Sequence, residues 1–96
     1  MSRAESIEAC LRAASPVQEL AIEDQSHRHR GHAGAADGRG HFRVRLVSSA
    51  FAGQPALARH RAVHAALADL LRTDIHALAL DLRAPDEAAA GNRGRP

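Results

Sequence analysis

Apolar residues at Ile7, Cys10, Leu11 and Ala14 recur at helical spacing behind Ser2-Arg3-Ala4-Glu5, whose serine and glutamate stand three apart as in a capping box. Ser15-Pro16 stops this first helix. From Val17 to Asp24, Leu20 and Ile22 share one side and Glu19 and Glu23 the other, which predicts a strand. Residues Gln25 to Gly40 hold four glycines, three histidines and almost no large apolar side chain, the composition of a long loop. Alternation resumes at His41 to Ser48: Phe42, Val44 and Leu46 face one way, Arg43 and Arg45 the other. Phe51-Ala-Gly53-Gln-Pro55 reads as a turn. A second helix is predicted from Ala56 to Arg72, with Val63, Leu67, Leu70 and Leu71 inward. The apolar run Ile75 to Leu82 has strand length.

The two strands around the loop should pair antiparallel. The strand–helix–strand order that follows implies a right-handed crossover and a parallel pairing. The expected class is therefore α/β (α+β): α-β-β-α-β, a three-stranded mixed sheet with both helices on one face. Residues 1–82 form the domain, and 83–96, rich in Ala, Gly, Arg and Pro without periodicity, are expected to be a disordered tail. The uncovered sheet face suggests a partner surface.

With 96 residues the chain suffices for one domain and not for two. The core must be aliphatic, because there are two Phe and neither Tyr nor Trp. Every basic residue is Arg, yet the formal net charge is only +2, a weak basis for binding nucleic acid. No apolar stretch approaches the roughly 20 residues that span a bilayer, and the N-terminus has no apolar segment of a secretory signal. A lone cysteine, Cys10, excludes an intramolecular disulfide and an all-cysteine metal site within one chain. The expected location is cytoplasmic.

Seven histidines carry the candidate chemistry. His27, His29 and His32 lie in the Gly-rich loop, His41 opens the second strand, His60 and His64 stand one turn apart on the second helix, and His76 opens the third strand. Neutral imidazole is the commonest metal ligand. In the expected topology the hairpin loop and the start of the last strand approach the same side, so that a loop histidine and His76 can converge.

At this point the chain resembles the BolA family. Ser26-His-Arg-His-Arg-Gly-His32-Ala-Gly34, Gly40-His-Phe-Arg-Val44, Val47-Ser-Ser-Ala-Phe51-Ala-Gly53, Leu57-Ala-Arg-His-Arg61 and Ile75-His-Ala-Leu-Ala-Leu80 look like its successive signatures, in order and spacing, across residues 5 to 82. The resemblance implies a fold like the type-II KH domain and a partner, a monothiol glutaredoxin of the Cys-Gly-Phe-Ser type. It implies a two-iron two-sulfur cluster held jointly by the glutaredoxin cysteine, a glutathione thiol and histidine of the BolA-like chain. His76 matches the family's C-terminal histidine, and His32 a loop position that is His in one subgroup and Cys in another. Histidine ligation also implies cluster loss on acidification, because protonated imidazole binds no metal.

Plainer readings stand beside these. His76 as a strand-end residue bonded to backbone, and His32, His29 and His27 as solvated loop residues, need no metal at all. Arg59-His60-Arg61 is a family signature without an agreed catalytic role, read here as a partner or nucleic-acid surface or as local structure. His60 and His64 have helical metal-pair spacing without the zincin glutamate. Cys10 belongs to the apolar stripe. Ser48-Ser49 lacks the Gly-x-Ser-x-Gly setting and reads as a solvated strand end, and with no nucleotide fingerprint the chain is expected not to be an enzyme. The main rival function is a DNA-binding transcriptional regulator using the Arg59–Arg61 helix. Gly31-His-Ala-Gly34 has the Gly-x-x-Gly pattern of KH proteins but sits between strands instead of helices. A third reading is an adaptor that binds glutaredoxin without metal. The isolated chain is expected to be a monomer or weak homodimer.

Overall fold

The computed structural model describes residues 2–26 and 40–93, with side chains described as far as residue 89. Helix α1 spans Arg3–Ala14. Its capping box forms as the sequence dictates: Ser2 Oγ accepts from the Glu5 amide at 3.1 Å, and Glu5 Oε1 accepts from the Ser2 amide at 2.8 Å. Ile7 and Leu11, one turn apart, are its buried residues, and extended Ser15 ends it by returning its amide to the Leu11 carbonyl.

Strand β1 covers Glu19–Asp24, two residues shorter at its start than the alternation suggests. Strand β2 covers Gly40–Val47 and pairs antiparallel with β1, Leu20 opposite Leu46 and Ile22 opposite Val44. Strand β3, Ile75–Arg83, runs parallel to β2, giving the order β1-β2-β3. Phe42, Val44 and Leu46 point to the helices and are at most 2% exposed. Leu78, Leu80 and Leu82 are their β3 neighbours, and together with Leu20 and Ile22 they pack on the core. The expected mixed three-stranded sheet is present. Its other face carries Ala21, Arg43, Arg45, Ala77, Ala79 and Asp81.

After β2 the chain makes a 3-10 turn, Ser49–Phe51. Ser48 is not a solvated strand end: it is fully buried, and its Oγ accepts from the Ala50 amide at 3.1 Å and so caps the turn. Gly53 follows at φ +74°, where only glycine is unstrained. The helix expected over 56–72 is two helices, α2 at Ala56–Ala66 and α3 at Ala68–Thr73. The break falls at Leu67, which leaves helical geometry (φ −103°, ψ 11°) and whose side chain is fully buried. No Gly or Pro marks the break, so the sequence carries no helix-stop signal there.

The domain also runs further than residue 82. β3 continues to Arg83, and residues expected to be a disordered tail form helix α4, Pro85–Arg93. Ala84 and Ala88 are buried, so a few small side chains suffice to dock it. Among the described residues no helix is long and apolar enough to cross a membrane.

Candidate functional site

The end of the sheet where β2 and β3 begin and β1 finishes is closed by backbone. The Gly40 amide donates to the Asp74 carbonyl at 2.8 Å, and the Gln25 amide to the His41 carbonyl at 2.7 Å. Ser26 Oγ accepts from the His41 amide at 3.1 Å, and Asp24 Oδ1 accepts from the Ser26 amide at 2.9 Å. These bonds fix both residues that flank segment 27–39. Gly40 is required by crowding: a Cβ there would stand 2.5 Å from Phe42 Cε2 and 3.0 Å from Ser26 Oγ.

The β2–β3 register slips here. Gly40 is opposite Ile75, but His41 is opposite Ala77, so His76 is the extra residue of a bulge. Before the slip, the odd-numbered Ile75 is buried in the core; after it, the even-numbered Leu78, Leu80 and Leu82 face inward. The phase change leaves His76 and Ala77 both exposed. His76 thereby comes beside His41, their ring centroids 5.1 Å apart and the planes tilted by 49°. His41 itself is only 7% exposed.

Chemically, this is an imidazole presented at the surface against a second, buried one. Cys10 is half-buried and packs on the core from α1, on the helix side of the sheet. Among the described residues no group of three His, Cys, Asp or Glu side chains could hold a metal. A metal at His76 therefore needs ligands from beyond these residues. His32, the second ligand candidate, and His27 and His29 lie outside the described residues.

The Arg59-His60-Arg61 signature divides. Arg59 is 9% exposed, which removes it from the surface expected for it. Its guanidinium bonds both Glu87 carboxylate oxygens, at 2.6 and 2.7 Å, and donates to the Gln54 and Leu82 carbonyls. Helical geometry explains this, because Arg59 lies one turn before buried Val63 and shares its face. His60 and Arg61 are exposed, with His64 and Leu57, the latter 60% exposed. His60 Nδ1 lies 2.9 Å from the Ala56 carbonyl.

Glu87 is the residue that sequence reasoning missed. The Arg59 hydrogen bonds, and then the Ala84 amide, hold its carboxyl at about 2, well below the ordinary 4.5. The same hydrogen bonds raise the Arg59 guanidinium further above its ordinary value. A signal was available: Pro85-Asp86-Glu87 has Pro at the first helical position and acids in the first turn.

Comparison with known proteins gives a consistent result. The family model described as BolA-like protein matches residues 11–87. A Sinorhizobium sp. relative, "Uncharacterized protein in cobS 5'region", is 46% identical over 89 residues, covering 91% of this chain and 96% of that protein. The "DNA-binding transcriptional regulator BolA" of Escherichia coli (strain K12) is 46% identical over 76 residues, 79% of this chain and 70% of its own. Among solved structures, "BolA1 from Arabidopsis thaliana" superposes with a TM-score of 0.79 at 37% identity, covering 91% of this chain and 96% of that one.

Proposed function

The chain belongs to the BolA-like protein family, and from that premise we propose that it is a non-enzymatic partner of a monothiol glutaredoxin. The two share a two-iron two-sulfur cluster in iron–sulfur trafficking, assembly or iron regulation. His76 is this chain's ligand, with a histidine of segment 27–39, His32, His29 or His27, as the second. The glutaredoxin contributes its cysteine and a bound glutathione.

The observation that carries this reading is the bulge that leaves His76 exposed at the sheet end, on the strand next to Gly40, where the chain rejoins the sheet after segment 27–39. The donor set also fits a shared cluster. Four ligands are needed, normally thiolates, and the lone cysteine is committed to packing. Imidazole in place of thiolate removes negative charge and raises the reduction potential of such a cluster. This chain's part is to present imidazole on a rigid strand and to dock.

Anaerobic co-expression with a monothiol glutaredoxin tests the proposal. A coloured complex whose visible spectrum changes in His76→Ala, and not in Arg61→Ala, supports it; a colourless complex refutes it and favours the metal-free adaptor.

A second reading, DNA binding, draws on the name of the Escherichia coli relative and on the outward face of α2, where His60, Arg61 and His64 stand without a carboxylate in the helix. It requires affinity that falls steeply with salt.

A further inference from the structure

We propose that His41 is a positioning residue for His76. Its buried ring is the plate against which the exposed ring of His76 rests, so that the ligand atom of His76 is held in one direction before any partner arrives. The inference deepens the cluster reading and rests on it for its purpose, but the geometry stands by itself.

Three observations converge. The rings are in contact, 5.1 Å between centroids with a 49° tilt, within the range that aromatic pairs favour. The backbone of His41 cannot drift, because its amide is bonded to Ser26 Oγ and its carbonyl to the Gln25 amide. The bulge sets how the rings meet: with the register slipped by one residue, His41 is opposite the small Ala77, and the ring of His76 stands beside that of His41 instead of directly opposite it. A regular ladder would put His76 directly opposite His41 or turn it to the helix face. Outer groups that orient a metal-binding histidine typically do so by fixing its ring. Here that task falls to a ring contact from a residue whose own side chain is almost fully enclosed.

The test uses His41→Ala and His41→Phe in the full chain. In the isolated protein, nuclear Overhauser contacts between the two rings and side-chain couplings of His76 report whether its ring keeps one orientation. We expect one rotamer in the native protein, averaging in His41→Ala, and recovery in His41→Phe, which keeps a ring and lacks the nitrogens. In the co-expressed complex, cluster release should accelerate by roughly 10-fold in His41→Ala, the low end of what losing an outer-shell support costs a metal site, with recovery again in His41→Phe. Unchanged couplings of His76 in a folded His41→Ala protein would overturn the proposal. A His41→Phe protein that keeps the His76 rotamer but loses the cluster as fast as His41→Ala would also overturn it, making His41 a ligand. If the native complex is colourless the cluster reading fails, while the couplings still decide the role of His41.

Discussion

Arg59 and Glu87 meet through two parallel hydrogen bonds, Nη1 to Oε1 at 2.6 Å and Nη2 to Oε2 at 2.7 Å. The same guanidinium lies 5.8 Å from the Phe51 ring centre and bonds the carbonyls of Gln54 and Leu82. One side chain thus ties together the 3-10 turn, the first turn of α2, the end of β3 and α4. Only a planar fork can make these bonds together.

Arg59→Lys and Glu87→Gln should therefore release α4. Hydrogen exchange should show lost protection around Ala88 while the β2 amides stay protected, and the melting temperature should fall by several degrees. The pair also sets an acid limit. Glu87 has a folded value of about 2 against an ordinary 4.5, so its contribution is complete above about pH 4.5. It fades as pH falls from there toward 2. Native protein should lose stability across that window more steeply than Glu87→Gln, as thermal melts at stepped pH will read.

Gly40→Ala should destabilise the domain by about 1–3 kcal/mol, the usual cost of forcing an extra carbon into a packed site. Phe42, only 2% exposed, has no free side to move to, so the strain passes to Ser26 and the His41 amide. Denaturant titration gives the magnitude, and a loss below 0.5 kcal/mol would show that the sheet end is softer than its contacts imply.

Leu67→Ala should cost about 2–5 kcal/mol, because its side chain is fully enclosed in the core at the residue that joins α2 and α3. Alanine is the better helix former, so a propensity-dominated junction would instead gain stability. The sign of the change in denaturation midpoint separates the two.

Arg61→Ala and Arg59→Ala should behave differently in any DNA-binding assay. Arg61 is exposed, and its loss should leave the fold intact while lowering the salt slope by about one if it contacts a phosphate. Arg59→Ala should act through stability, lowering the melting temperature with no slope change of its own. Equal thermal behaviour of the two variants would contradict the buried fork.

How far the sequence reached is clearest within one signature. Arg59 and Arg61 are two residues apart, hence about 200° around a helix, and burial separates them completely. The turn from Arg59 to Val63 was visible in the periodicity, but a charged residue at that spacing has no inward reading without its partner. That partner stands 28 residues away in a segment with no apolar stripe. α4 escaped notice for the same reason: its anchors are Ala84, Ala88 and a carboxylate, which carry little hydrophobic contrast along the chain.

Strand alternation, the capping box at Ser2 and the family signatures determined the first helix, the order of the three strands, the helical crossover, the mixed sheet and the inward-facing residues of β2, because these rest on local periods and neighbouring hydrogen bonds. Tertiary structure decided what depends on meeting across the chain: the bulge that turns His76 out beside His41, the break at Leu67 and the capture of Glu87 by Arg59. A period of two or 3.6 residues specifies a face. Which residues meet on that face depends on register and packing between segments far apart in sequence.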